Sequence, residues 1–498
     1  MEPVAIALPV VFPLLLSLVA WMLRDRPGAS RVFLPLGLGV ILGSALWLFT
    51  IINDGEAPVR VDFGSWEKPL GISFQVDLFA SMMVVVAGII GFSGALYAIG
   101  EIGRVIWRKG YATFFFLLLA GINGAFLTND LFNLFVWFEV MLMSSFAMLV
   151  LGRGKYVFEG ATKYVVINMV SSFFFLSGLG VLYGKTGQLN LDEVALRLAG
   201  SGSDPVILSS AALLLIAFGI KAGVFPLYFW LPPAYPYTGF ATAAVFGGLL
   251  TKVGVYALFR VFGGAFGFLS EIIGPLFLVV GAATMVAGVL GAASQFHTRR
   301  ILSFHIVSQI GYIVLGLGLF TQGAFAAAIF YIVHHILVKT NLFLAAGAIA
   351  STGRSERLEK LGGLLKGAPL LAVLFLIPAL SLGGIPPLSG FFAKFLLLRE
   401  ALREEAYIYV VIALVVGIVT LFSMTKIWGE AFWKDSPRPG GIERFRRVQL
   451  VPMAILGSLT ILIGVFVDPL FRLSQRAADQ LIQSNPALVQ TVTLETES

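Results

Sequence analysis

Residues 369–398 read PLLAVLFLIPALSLGGIPPLSGFFAKFLLL, a stretch broken at its centre by Gly383, Gly384, Pro386 and Pro387 and carrying one charge, Lys394. It is long enough to cross a bilayer as a helix. Proline removes a backbone donor and clashes with the preceding turn, and such a break survives at membrane depth only where protein or water satisfies the freed groups. The stretch therefore predicts a discontinuous transmembrane helix with a lysine near the break. Residues 206–230 predict a second, because Gly219-Ile220-Lys221-Ala222-Gly223-Val224-Phe225-Pro226 is followed by Trp230, Pro232, Pro233 and Pro236. Pro226, Pro386 and Pro387 are read as the helix breaks.

The rest of the chain fits this reading. Of 498 residues 58% are hydrophobic and 12% charged, against roughly 25% charged in a soluble protein, and the mean hydropathy is +0.92. The fold class expected is an all-α polytopic membrane protein. At ~17–25 residues per crossing, fourteen spans are predicted, at about 4–23, 32–52, 75–98, 111–128, 131–151, 162–184, 206–230, 239–260, 271–292, 301–320, 323–350, 369–398, 406–428 and 449–471. No cationic segment precedes span 1, which reads as a retained helix rather than a cleaved signal.

The discontinuous spans, 7 and 12, lie five apart, and an odd offset makes equivalent helices run in opposite directions. Two inverted five-helix repeats are therefore expected, spans 4–8 (111–260) and spans 9–13 (271–428), an arrangement in which broken helices mark the midplane site. Spans 1–3 (1–110) precede them, and a last span with an external tail (429–498) follows. Of the 34 Lys and Arg, 21 fall in odd-numbered loops, 9 in even-numbered loops and the tail, and 4 inside spans. By the positive-inside bias, the odd loops face the cytoplasm and both termini lie outside. The net charge of +7 is thus a topology signal, and no nucleic-acid partner is expected.

The absence of Cys excludes disulfides, thiolate-held iron–sulfur clusters and Cys-based zinc sites in this chain. No Walker-type phosphate loop and no acidic metal cage is present, and Gly178, Gly180 and Gly184 lie in an apolar helix where small residues serve packing. No cofactor is expected, and any redox centre belongs to a partner.

The candidate chemistry lies in the intramembrane charges: Lys221, Lys252, Lys339, Lys394 and Glu139. Each costs at least ~2.5–3.5 kcal/mol on insertion scales, which makes an ion or proton path the first reading. His335 and Lys339, four apart on span 11, share a helix face, with His334 beside them. Enclosed amines lose proton affinity and nearby carboxylates restore it, so a row of such groups toggles as its neighbours change charge. The competing reading is static: a Glu139–Lys221 pair that packs helices, and a His334 that hydrogen-bonds across them. Asp77 and Asp130 are read as interfacial, at points of ion access or exit. His297 and His305 are placed near the cytoplasmic end of span 10, with His297 a solvated loop residue.

At this point the residues carry a family likeness. Phe135-Val-Trp-Phe-Glu139-Val-Met-Leu-Met-Ser-Ser145, the span 7 Lys-Pro segment, Leu250-Thr-Lys252-Val-Gly-Val-Tyr256, Ser308-Gln309-Ile-Gly311-Tyr312, His334-His335-Ile-Leu-Val-Lys339-Thr and Gly384-Ile-Pro-Pro-Leu-Ser-Gly390-Phe-Phe-Ala-Lys394 resemble the antiporter-like subunits of respiratory complex I, membrane-bound hydrogenases and Mrp-type cation/proton antiporters. Phe132-Asn133, Lys163-Tyr-Val-Val-Ile-Asn168 and Phe225-Pro-Leu-Tyr-Phe-Trp-Leu-Pro232 look most like the Mrp branch. The resemblance implies a half-channel in each repeat, joined by a polar axis: Glu139 modulating Lys221, Lys252 passing the proton on, His335 and Lys339 continuing it, and Lys394 ending it.

Three functions follow as expectations. The first is a proton-translocating subunit of a heteromeric Na+/H+ antiporter in a bacterial cell membrane, with other membrane subunits, H+, Na+ and the lipid bilayer as partners. The alternative is a proton-pumping membrane subunit of a complex I-like quinone oxidoreductase or membrane-bound hydrogenase. The third is a structural subunit whose buried charges move nothing.

Overall fold

The computed structural model describes residues 2–55, 57–63, 71–152, 155–198, 204–437 and 447–483. Lys68, Arg153, Arg438, Arg444 and Arg446 of the loop-charge reading, and the tail beyond 483, lie outside the described residues.

In chain order the elements are α1 (Glu2–Met22), α2 (Pro27–Asp54), β1 (Val59–Phe63), β2 (Ile72–Val76), α3 (Leu78–Glu101), α4 (Arg104–Arg108), α5 (Tyr111–Leu127), α6 (Leu131–Val150) and α7 (Lys155–Thr186). There follow α8 (Leu191–Leu198), α9 (Pro205–Ala222), α10 (Leu231–Ala234), α11 (Phe240–Val245), α12 (Thr251–Leu258), α13 (Ser270–Ala293), α14 (Thr298–Gly318) and α15 (Gln322–Gly353). The chain continues through α16 (Leu364–Gly367), α17 (Pro369–Gly383), α18 (Ser389–Arg403), α19 (Tyr407–Trp428), α20 (Leu450–Val465) and α21 (Val467–Gln483). Among the described residues eleven helices are long and apolar enough to cross a membrane, twelve with the bent pair α20–α21, and α5 and α17 are shorter apolar helices. Each of the fourteen predicted spans falls on one of these helices, span 7 (206–230) on α9 and the turn that follows it and span 12 (369–398) on the broken pair α17 and α18. The chain is an all-α, multi-pass membrane protein.

Burial sorts the bundle into a centre and a rim. The helix Phe240–Ala265, which contains α11 and α12, and α15 are wholly enclosed along their apolar windows, and α14 nearly so; α7 and α19 are two-thirds open. The rim helices present Val166, Phe173, Ile408, Val411 and Ile418 outward, the large apolar side chains that a lipid-facing surface requires. The enclosed helices carry Lys252, Lys339 and His335, so the costly groups sit where lipid does not reach.

Three local features differ from the expected helices. Residues 59–63 and 72–76 form an antiparallel hairpin, with Val59 opposite Val76 and Phe63 opposite Ile72. Span 3 therefore starts at Leu78, where Asp77 caps the helix. Span 8 contains two π-helical stretches, Phe246–Leu250 and Phe259–Ala265, on either side of α12, a wide-turn geometry that recurs at functional sites. Span 14 ends at Val465, and the chain bends by 83° into α21. That helix is amphipathic: Ala477, Ala478, Leu481 and Ile482 are buried while Asp468 and Arg472 remain largely exposed. A charged face of this kind places it at an interface rather than across the hydrocarbon.

Candidate functional site

The two broken helices use one backbone turn. At the first, Gly223 takes φ +76 and its N–H donates to the carbonyls of Gly219 (2.9 Å) and Ile220 (3.2 Å), while Val224 N–H donates to Gly219 O (3.1 Å). At the second, Gly384 takes φ +89, its N–H donates to Leu380 O and Ser381 O (3.0 Å each), and Ile385 N–H donates to Leu380 O (3.1 Å). Only glycine adopts this left-handed cap without strain. A cis X-Pro bond follows at the same offset, Phe225-Pro226 and Pro386-Pro387. The freed groups find side-chain partners: Trp230 Nε1 donates to Ile220 O (3.0 Å), Phe225 N–H donates to Thr284 Oγ1 (2.9 Å), and Gly390 N–H donates to Ser381 Oγ (3.1 Å).

Lys221 occupies the last turn of α9, the negative end of the helix dipole. It is buried, its Nζ has no hydrogen-bonding partner, and the amine lies 5.3 Å from the centre of the Phe138 ring. Glu139 does not touch it. The half-buried carboxylate accepts instead from Ser172 Oγ on α7, and acts on Lys221 through space. Spans 7 and 8 meet backbone to backbone, since a Cβ on Gly254 would lie 2.5 Å from Ala222 N and 2.7 Å from the Lys221 carbonyl carbon.

Lys252 is fully enclosed and donates to Gly247 O (2.7 Å) within its own helix. On α15, Lys339 is equally enclosed and donates to Leu302 O of α14 (3.1 Å). His335 lies within electrostatic reach of Lys252, Lys339, His334 and His305, and neither of its ring nitrogens has a protein partner. His334 bonds across helices, with Nδ1 2.8 Å from Ser389 Oγ, which is 3.2 Å from Ser381 Oγ at the second break. Lys394 turns back to the end of α17, donating to Leu382 O (3.0 Å) and Gly383 O (3.1 Å), with its amine 5.5 Å from the centre of the Tyr312 ring. It borders a cavity of about 320 Å³ lined mainly by apolar groups of α18 and α19, including Phe391, Phe395 and Leu414.

One residue was missed by the sequence reading. His305, seven residues after the start of α14, is fully buried, both ring nitrogens lack a protein partner, and it feels the charges of both Lys339 and Lys394. His305, Ser308, Gln309 and Tyr312 follow the i, i+3, i+4, i+7 spacing of one helix face, the signal that would have found it. Tyr331 O–H donates to Gln309 Oε1 (2.6 Å) and stacks on Tyr312, so this face of α14 spans the interval between Lys339 and Lys394.

Two candidates are buried and tied to helix starts. Asp77 is 1% exposed; it caps α3 by accepting from Ala80 N–H (2.8 Å) and pairs with both terminal nitrogens of Arg260 (2.5 Å each). Asp130 is likewise buried and caps α6 through Asn133 N–H (2.7 Å). Neither lies open at an interface, because each carboxylate is bound to a helix start. His297 too is partly buried rather than solvated, 3.8 Å from Glu356; burial holds its imidazole below the ordinary range, with Glu356 opposing. Among the described residues no group of three or more His, Asp or Glu could hold a metal ion.

A polytopic bundle with two identically broken helices and a buried row of lysines and histidines defines the class of antiporter-like membrane subunits. The chain belongs to the NADH:quinone oxidoreductase/Mrp antiporter transmembrane family, whose pattern matches residues 128–420, and its relatives place it with the D-type subunits of Mrp antiporters. It is 43% identical over 479 residues to the D-type Na(+)/H(+) antiporter subunit of Alkalihalophilus pseudofirmus, covering 96% of this chain and 97% of the relative. A chain of the Mrp complex from Dietzia sp. DQ12-45-1b superposes with TM-score 0.89 at 33% identity, covering 98% of this chain and 99% of that one. A chain of the membrane-bound sulfane sulfur reductase, an archaeal respiratory membrane complex, superposes with TM-score 0.90 at 26% identity, over 97% of this chain and 99% of that one.

Proposed function

We propose that this subunit carries protons in a heteromeric Na+/H+ antiporter of the bacterial plasma membrane, along Glu139, Lys221, Lys252, His335, Lys339 and Lys394, with His305 between the last two lysines. The observation that carries the reading is the row of enclosed polar atoms without protein partners: Lys221 Nζ, Thr251 Oγ1, both ring nitrogens of His335 and of His305, Ser308 Oγ and Gln309 Nε2. Buried polar groups are normally bonded, and those that protein leaves over are met by internal water. Amines and imidazoles separated by water form a proton path. A packing role instead favours direct pairs, and the expected Glu139–Lys221 pair does not close.

Charge coupling supplies the control. Two unit charges ~7 Å apart at an effective dielectric of about 20 interact by roughly 2.4 kcal/mol, which is nearly two decades of proton affinity. Loading one member of the row therefore changes the occupancy of the next. The shared Gly-X-X-Pro turn at both breaks supports two inverted repeats, residues 111–260 and 271–428, and the loop charges support cytoplasmic odd loops with both termini outside. The names of the relatives support other membrane subunits as partners and Na+ as the counter-ion. The close superposition on a respiratory complex favours a second reading, proton pumping driven by a redox partner.

The test is Na+-induced pH change in inverted vesicles from an antiporter-deficient bacterium expressing the native operon, wild type against Lys221→Ala at equal complex assembly. Loss of exchange is expected; retained exchange would reduce this chain to a scaffold.

A further inference from the structure

The row above begins and ends inside the bundle, and a group of polar residues at the cytoplasmic end of spans 3, 8 and 11 is not used by it. Glu101 is the last residue of α3 and stays partly exposed. Its carboxylate accepts from Phe240 N–H (2.5 Å) and Ala241 N–H (2.7 Å), the first amides of α11. The charged groups facing it are Arg299 of α14 and Glu356 of the loop after α15, themselves paired at 2.5 Å. One turn deeper on α3 is Tyr97, and one turn deeper again Ser93; both are fully buried, and neither hydroxyl has a protein partner. Ser93, Tyr97 and Glu101 follow i, i+4, i+8 spacing, a strip about 12 Å long on one helix side.

Glycines make room for this strip between the helices. The Tyr97 hydroxyl occupies the space a side chain at Gly347 of α15 would take, 2.5 Å from its would-be Cβ, with Phe240 Cβ 2.7 Å from the same point. Two turns toward the centre, the empty side of Gly248 is met by Thr340 Oγ1 of α15, the Ile336 carbonyl and Ile90 of α3. Lys252 donates to the adjacent carbonyl, Gly247 O, and Thr340 is next to Lys339. The strip therefore ends at the level of both lysines.

Building on the proposed relay, we infer that the seam between spans 3, 8 and 11 is the cytoplasmic arm of the proton path, with Glu101 as its outer acceptor and Tyr97 and Ser93 as the groups that pass the proton to Lys252 and Lys339. Glu101 is partly exposed where the arm needs bulk access, and the hydroxyls beyond it are orphaned where the arm needs water or a proton. A packing role for Tyr97 gives its hydroxyl nothing to do, because deleting an unbonded buried hydroxyl is neutral or stabilising.

Glu101 also holds the start of span 8, so the test falls on Tyr97. In the assembled complex, the maximal rate of Na+-induced pH change in inverted vesicles is compared among wild type, Tyr97→Phe and Lys252→Met. The expected result is a fivefold or greater loss for Tyr97→Phe, with the Na+ KM and complex abundance unchanged, and an inactive Lys252→Met. A wild-type rate for Tyr97→Phe beside an inactive Lys252→Met overturns the arm and leaves the relay standing. An active Lys252→Met overturns both. Should Tyr97→Phe lower complex abundance, Ser93→Ala carries the same comparison with the same expected loss.

Discussion

Replacing Arg260 with Met leaves the Asp77 carboxylate buried without its partner, a perturbation whose size follows from the geometry. Asp77 is 1% exposed and bound by two guanidinium nitrogens at 2.5 Å, and Arg260 also donates to Tyr256 O–H (2.8 Å). Removing one member of such a pair costs about 3–5 kcal/mol, and Asp77→Ala adds about 1 kcal/mol for the lost helix cap. Asp77→Asn keeps a competent cap but strands the guanidinium, so it falls in the same range as Arg260→Met. The double variant Asp77→Asn/Arg260→Met strands neither charge, and its loss should be at least 2 kcal/mol smaller than the sum of the singles, on the order of the couplings seen between contacting residues. Thermal unfolding of the purified complex measures the cycle, and Na+/H+ exchange per assembled complex should stay near wild type in all three. Singles that are as stable as wild type but fail to exchange would refute the structural assignment and return Asp77 to the ion path.

The other expectations are equally concrete. Ser172→Ala removes the hydroxyl bound to Glu139, a bond to a charged group worth about 1.5–3 kcal/mol; exchange should fall about tenfold or more in vesicle assays, and further in Glu139→Gln, with assembly unchanged. Gly254→Ala drives a methyl into the backbone of span 7 at Ala222, an overpacking cost of about 1–3 kcal/mol that should appear as lower complex yield on native gels. His305→Leu deletes an enclosed ring without protein partners, so thermal stability should hold while exchange is lost; wild-type exchange would remove His305 from the path. Because burial holds His297 below its ordinary value of 6.5, the unfolded chain takes up a proton first as pH falls. The contribution of His297 to stability is therefore present above about 6.5 and is lost as pH drops toward its folded value. A pH series of melting curves should show His297→Gln losing less stability than wild type below pH ~6.5.

The spans and the broken helices were legible because each is written locally: twenty apolar residues, or a Gly-Pro interruption with a lysine beside it, need no knowledge of neighbours. The buried lysines were legible for the same reason, since a charge in an apolar stretch stands out in one dimension. What stayed hidden depends on residues far apart in the chain. Asp77 and Arg260 are 183 positions apart, and before folding nothing distinguishes a carboxylate that caps and pairs from one that admits ions. Glu101 holds a helix that starts 139 positions later. His305 was placed only near the end of span 10, and its enclosure depends on neighbours far along the chain, since α14 is buried along nearly its whole length. The amphipathic α21 and the hairpin at 59–76 are too short and too polar to register as spans, and their place is fixed by the helix ends they cover.

The most direct test of the proton path is Na+-gradient-driven proton movement by the purified complex in proteoliposomes, wild type against Lys252→Met. Methionine keeps most of the side-chain volume, and Lys252 is fully enclosed with one bond inside its own helix, so the complex should assemble. The account requires exchange to be abolished in the intact complex. Exchange at the wild-type rate would contradict it.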